Sequence, residues 1–418
     1  MQKEMGQYSM TYLTKKAQNL TPYVAGIQPR ESGWIKLNAN ENPYPPSPKV
    51  FEALATADAT KLRLYPDGES SDLQRAVARA VSDELRRAAL PQIAGNSLPR
   101  KHMPASEHPD AGQPIKPENI FCANSSDEVL ALAYQAFFAG KTRILSPDIS
   151  YGFYPVWGEM YDAGTEFIPV GQSRKPRIAP ADENAGFRAD FSINPADYAG
   201  GNGVILANPN APTGLALSRA DIEKILRQNP DGVVIIDEAY IAFAAPETSA
   251  VALVNEYENL LVTRTFSKSH SLAGLRVGYA IGQPHLIDGL RRVRDAFNSY
   301  PLDMIAQNCA AAAISDTEYY AETTAKIIAA REFTTDFLHS LKTSGEELSV
   351  LPSQANFIFA KFPDAPALYD FLRRNKILVR HWSRLKNFLR ISIGTQDEME
   401  EFCQCVKRFL NDEQKKRT

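Results

Sequence analysis

From residue 119 onward, short continuous apolar runs alternate with segments of helical periodicity. Runs at 120–123, 143–145, 166–170, 204–207, 233–236, 260–263 and 277–281 have strand length and little polar alternation, the pattern of strands buried on both faces. Helical spacing between them, at 127–138 and 219–227, predicts βα alternation and so a mainly parallel α/β sheet. After about residue 300 a long helical region predicts a second, smaller α+β unit, with strands at 357–362 and 389–393 and a last helix at 398–410. The first forty residues read as polar and irregular. They run into a stretch broken by Pro43, Pro45, Pro46 and Pro48, which no helix interior tolerates. Helices follow at 49–57 and 71–90, the second with Ser71 or Asp72 as its cap. Residues 91–118 carry six prolines and no periodicity, so they read as a surface insertion. A second loop-like stretch covers 173–188, and there is no internal repeat. The expected division is an arm with a segment joining the small domain over 1–45, a large domain over 46–298 and a small domain over 299–418.

Composition narrows the class. Of 418 residues, 44% are hydrophobic, which excludes disorder, and a net charge of −3 gives no field suited to nucleic acid or an anionic membrane. The start lacks the apolar stretch of a secretory signal, and no window approaches the ~20 apolar residues of a membrane helix. Four cysteines make no disulfide framework. Cys403 and Cys405 fall on one helix with thiols pointing about 200° apart, so no metal site is expected. A soluble, cytoplasmic protein with no nucleic-acid and no membrane partner is the expectation.

Two apparent phosphate motifs fail. Ala139-Gly140-Lys141-Thr142 ends like a P-loop, but Gln135 stands where the motif's first glycine belongs. Gly200-Gly201-Asn202-Gly203 precedes a strand where a dinucleotide fingerprint would follow one. Asn124-Ser125-Ser126-Asp127-Glu128 is better placed: it follows a strand and opens a helix, with Ser125 and Glu128 in capping-box spacing and free N–H groups for an anion. Asp237 ends a buried strand at the edge where α/β sheets bind ligands, and a carboxylate there needs a cationic partner or a cap to satisfy. The stretch from Thr263 to Arg276 places Lys268 at the same edge beside Thr265, Ser267 and Arg276. A lysine flanked by positive charge suits Schiff-base chemistry, and hydroxyls with a guanidinium suit a phosphate.

Together, Asn208-Pro209-Asn210-Ala211-Pro212-Thr213-Gly214, Asp237 with Tyr240, and Ser267-Lys268 with Arg276 resemble the fold-type-I pyridoxal-phosphate aminotransferases. Leu20-Thr21-Pro22-Tyr23, Leu37-Asn38-Ala39-Asn40-Glu41-Asn42-Pro43, Leu64-Tyr65-Pro66 and Leu389-Arg390-Ile391-Ser392-Ile393-Gly394 resemble the histidinol-phosphate aminotransferases within them. The resemblance runs from about residue 20 to 410 and leaves the 91–118 insertion unmatched.

The resemblance implies an α/β fold of that type and pyridoxal 5′-phosphate held by Lys268 as a Schiff base. Asp237 is then expected on the ring nitrogen, Tyr240 on the ring hydroxyl and Tyr151 on the ring face. The phosphate is expected on Ser126, Asp127, Thr265, Ser267 and Arg276, with Tyr65 reaching across from a partner subunit. Arg390, with Arg380, Asn356 and the partner arm's Tyr23, is expected to take the substrate. Where the family usually has Asn before Pro-Thr-Gly, this chain has Ala211, leaving Asn210 as a neighbouring candidate. The implied reaction exchanges an amino group between L-histidinol phosphate and 2-oxoglutarate, giving imidazole-acetol phosphate and glutamate, in a homodimer with shared sites. An aromatic or other amino-acid aminotransferase and a phosphothreonine decarboxylase-like enzyme remain alternatives, with a non-catalytic binding module more distant.

Overall fold

The computed structural model describes residues 12–24, 26–29, 31–89, 114–171, 191–341 and 348–417. In it the apolar runs become strands of two sheets. In chain order the strands are β1 (Ile35–Leu37), β2 (Ile120–Asn124), β3 (Ile144–Pro147), β4 (Thr165–Ile168), β5 (Gly203–Ala207), β6 (Val233–Asp237), β7 (Leu260–Thr265), β8 (Val277–Gly282), β9 (Ser349–Val350), β10 (Phe357–Lys361), β11 (Ile377–His381) and β12 (Phe388–Ser392). Among the described residues, seven of them form a sheet in the order β2-β8-β7-β6-β5-β3-β4, and the other five a sheet in the order β1-β11-β12-β10-β9. From β7 to β4 all neighbours are parallel, whereas β8 is antiparallel to both β7 and β2. β2 therefore runs with β7, and the C-terminal ends of β2, β7, β6, β5 and β3 share one edge.

Continuous apolar runs suit these strands because alternate residues enter cores on opposite faces. Val204, Val234, Ile236 and Val262 meet Leu73, Val77, Ile222 and Leu226 from the helices Ser71–Ala89 and Arg219–Gln228. Ile205, Ile235 and Leu261 meet Val129, Leu130, Trp157 and Leu290 on the other side. Each such side chain contributes ~1.5–3 kcal/mol when fully buried. The smaller sheet is packed under the helices Thr317–Ser340, Ala365–Arg374 and Gln396–Arg417, and Cys403 and Cys405 are buried in that core.

Most expected elements are displaced only by a residue or two. β1, β9 and β11 were not legible: the first forty residues are not wholly irregular, since Ile35–Leu37 pairs in parallel with Ile377–Val379. Three residues carry too little pattern to announce a strand whose partner lies at the other end of the chain. The helix Ser71–Ala89 begins at Ser71 itself, and its cap is the Asp67 carboxylate, which accepts from the N–H of Ser71 at 2.8 Å and of Glu69 at 3.0 Å. Residues 91–113 of the expected insertion, the last residue of the expected 71–90 helix and the whole 173–188 stretch lie outside the described residues. No helix among the described residues is long and apolar enough to cross a membrane.

Candidate active site

Strand register carries the chemistry to one edge. Ala207 pairs with Asp237, Asp237 with Thr263, Thr265 with Gly278, and Asn124 with Val277. A cavity of about 280 Å³ opens there, lined by Ser126, Asp127, Tyr151, Asp237, Tyr240, Thr265, Ser267, Lys268 and Arg276, with Ala39, Glu41 and Ala211. A larger cavity of about 830 Å³ lies around Arg264, between the helices Ser71–Ala89 and Thr317–Ser340. Its guanidinium is held by Glu84 at 2.7 Å and Glu238 at 2.9 Å, and neither Lys268 nor Asp237 lines it.

At one end of the smaller cavity the chain leaves β2, turns at Ser125 with φ +70°, and enters the helix Ser125–Ala133. The Ser125 N–H donates to the Arg276 carbonyl at 2.7 Å, and Gly278 lets that turn lie against β8: a Cβ there would overlap Ser126 N and meet Ser126 Cα at 2.8 Å. The expected capping box is shifted by one residue. Glu128 accepts from the Asn124 N–H at 2.6 Å, while Ser125 Oγ accepts from the Asp127 N–H at 3.1 Å. The Ser126 N–H, in the first turn, has no helical acceptor. The Asp127 carboxylate accepts from Tyr151 at 2.7 Å and from Arg276 at 2.9 Å.

Burial dominates the electrostatics. Lys268 Nζ donates to the Ala39 carbonyl at 3.2 Å. Its pKa is pushed down to about 8, first by burial and then by the positive charge of Arg390, with Asp127 and Glu41 opposing. The flanking charge expected of Arg276 is the smaller effect. Asp237 is pushed up to about 6 by burial, against hydrogen bonds from Tyr154, the Ala239 N–H and Thr263. Tyr154 OH donates to its Oδ2 at 3.1 Å.

The remaining candidates, Arg390, Arg380, Asn356, Asn210, Tyr23 and Tyr65, are not among the residues lining this cavity. Arg390 projects from β12, donates to the Asn38 carbonyl at 2.9 Å, and keeps a buried Nε with no acceptor. Arg380 pairs with it across β11–β12 and donates to the Val24 carbonyl at 3.0 Å. Asn356 is wholly buried and donates to the Asn40 carbonyl at 3.0 Å. Asn210 faces away: its side chain bonds the Ile149 carbonyl, Ser150 and Thr213, because the turn before Gly214 needs that brace. Tyr23 stacks on Phe153 of its own chain, with ring centroids 4.4 Å apart, and lies 6.3 Å from Tyr151. Gly152, with no Cβ, makes room for the ring. Tyr65 is 82% exposed and stacks on Tyr300, away from its own chain's cavity.

Sequence reasoning missed Tyr154, Asn40 and Ser392 as parts of the site. Tyr154 follows Tyr151 by three residues, which was a readable signal; Asn40 and Ser392 acquire meaning only when β12 meets the arm.

The aminotransferase class I and II family model matches residues 32–406. The chain belongs to that family. Curated relatives of this aminotransferase include the histidinol-phosphate aminotransferase of Acetobacter pasteurianus, 42% identical over 94% of this chain and 96% of its own. That of Acinetobacter baylyi is 42% identical over 96% and 98%. The fold is shared with the crystal structure of the Sinorhizobium meliloti histidinol-phosphate aminotransferase in complex with pyridoxal-5′-phosphate: TM-score 0.75, 22% identity, 98% of this chain and 100% of that one. The aminotransferase has the fold-type-I α/β architecture and uses pyridoxal phosphate. Its own residues fit that group: a buried carboxylate, Asp237, has no cation beside it among the described residues, and a lysine of lowered pKa faces the same cavity. A first-turn N–H, two hydroxyls and a guanidinium gather at one end.

Proposed function

We propose that the enzyme exchanges the amino group of L-histidinol phosphate with 2-oxoglutarate, forming imidazole-acetol phosphate and L-glutamate, as a cytoplasmic homodimer. Bound pyridoxal phosphate supplies a carbonyl that takes the amine covalently and a ring that draws electrons from the substrate's Cα–H bond. Lys268 is the covalent anchor and, once freed, the base. Released as the free amine, its Nζ accepts the α-proton and can return it on the same face. Asp237 holds the ring nitrogen protonated, Tyr240 donates to the ring hydroxyl, and Tyr151 covers the ring face. Ser126, Asp127, Thr265, Ser267 and Arg276 hold the phosphate. Tyr65, exposed and stacked on Tyr300, completes that end in the partner subunit. Arg390, backed by Arg380 and Tyr23, receives the substrate's anionic group as a fork, which satisfies phosphate in one half-reaction and carboxylate in the other.

The observation that carries this reading is the buried, unpaired Nε of Arg390 beside a lysine whose pKa its charge depresses: a donor waiting for an anion next to the reactive amine. Its test is a single-turnover absorbance experiment on cofactor-loaded protein with L-histidinol phosphate, phenylalanine and phosphothreonine in parallel. Rapid loss of the visible band is expected with histidinol phosphate alone. Preference for phenylalanine would move the substrate, and no visible band at all would end the reading. Lys268→Ala is expected to lose turnover by more than the roughly 10²–10⁴-fold of a general base, because the covalent anchor goes too.

A further inference from the structure

Ala211 lines the cavity where the resembling family usually places an asparagine, so the ring hydroxyl loses one side-chain donor and rests on Tyr240. The surroundings of Tyr240 decide which way that phenol can donate. Asn40 N–H donates to Ser392 Oγ at 2.8 Å, and Ser392 Oγ in turn donates to Asn40 Oδ1 at 2.7 Å. With its oxygen taken, the amide must present Nδ2 outward, and Nδ2 donates to Tyr240 OH at 3.0 Å. The Asn356 amide fixes the same loop through the Asn40 carbonyl at 3.0 Å. Asn40, Ser392 and Asn356 are all buried. The phenol oxygen is thus occupied as an acceptor, and its hydrogen has no acceptor among the described residues.

We propose that Asn40 is a positioning residue. By donating to Tyr240 it aims the phenol hydrogen at the cofactor's ring oxygen, and so makes up for the donor missing at Ala211. The proposal rests on the function proposed above. The same loop contacts two other members of the site, since the Asn38 carbonyl accepts from Arg390 and the Ala39 carbonyl from Lys268. An anion drawing Arg390 inward would therefore pull on the loop that orients Tyr240.

The test is a pH titration of the visible band of the cofactor-loaded protein. Asn40 sits at φ +55°, so Asn40→Gly removes the side chain without backbone strain. A donor favours the anionic ring oxygen, so Tyr240→Phe is expected to raise the titration midpoint by roughly one pH unit, and Asn40→Gly in the same direction by less. Because Asn40 acts through Tyr240, the double variant should match Tyr240→Phe alone, and Ala211→Asn should restore the midpoint of Asn40→Gly. An unshifted midpoint in Asn40→Gly, or additive shifts in the double variant, would overturn the proposal. Should Asn40→Gly fail to fold, Ser392→Ala, which releases the amide's oxygen, is expected to shift the midpoint upward, and no shift there would overturn it equally. A parent protein showing no band with pyridoxal phosphate would sink the function itself, and this role with it, which is a distinguishable result.

Discussion

Asp237 and Lys268 oppose each other in how they answer pH. Burial raises Asp237 from 3.8 to about 6, so folding favours its neutral form. Its contribution to the stability of the cofactor-free protein is complete below the unfolded value and is lost as pH rises through 6. Lys268, lowered from 10.5 to about 8, contributes above its unfolded value, and that contribution is lost as pH falls through 8. Between these values both groups are buried and charged, and the roles proposed above, on a protonated ring nitrogen and in a covalent bond through the amine, would relieve both. Asp237→Asn is therefore expected to melt higher than the cofactor-free parent near pH 7 and level with it near pH 4, by calorimetry. The same variant is expected to lose turnover by roughly 10²–10³-fold, the scale of removing one preorganised electrostatic group. A melting difference that does not change with pH would contradict the burial assigned to this carboxylate.

At the scale of elements, the end proposed for the phosphate depends on β8 lying close under the β2–helix turn. Asn124 to Glu128 could be read from the sequence as a helix start, since capping residues act within a few positions. What could not be read is that β8 runs antiparallel between β2 and β7, so that Gly278 passes beneath Ser125 and Ser126. Gly278→Ala puts a methyl group into that backbone. Overpacking of this kind costs about 1–3 kcal/mol. Since the displaced atoms carry the N–H proposed to bind the phosphate, the cofactor Kd is expected to rise roughly ten- to a hundredfold. Fluorescence titration with pyridoxal phosphate checks this, and an unchanged Kd would remove the turn from the phosphate site. The smaller sheet shows the limit of local pattern from another side: β1 is three residues long, and its place beside β11 is set by contacts with the far end of the chain.

For the whole molecule, the exposed Tyr65–Tyr300 stack and the exposed apolar side chains next to it in sequence are a feature a single chain leaves unaccounted for. Phe297 is 78% exposed, and Leu62, Leu64 and Tyr300 are exposed too, each within three residues in sequence of a stacked ring or part of the stack itself. A contiguous exposed apolar patch marks an interface with another protein. The homodimer proposed above buries it and carries Tyr65 to the neighbouring site. Leu64→Asp combined with Phe297→Asp is expected to shift sedimentation from dimer to monomer and to weaken cofactor retention. A parent protein that is monomeric and fully active under assay conditions would refute the shared site.

The chain's own pattern determined the α/β class, the edge carrying Asp237 and Lys268, and the chemical kinds of group gathered there. Strand burial and helix starts are written in adjacent residues, and a carboxylate or lysine ending an apolar run is visible as such. Tertiary structure decided the rest: the pairing of Tyr154 with Asp237, the dominance of burial and of Arg390 over the lysine's charge state, the turning away of Asn210, and the clamp of Asn40 by Ser392. Each depends on residues far apart in sequence meeting at hydrogen-bond distance. Direction and desolvation, which set what those groups can do, exist only once the sheets have packed.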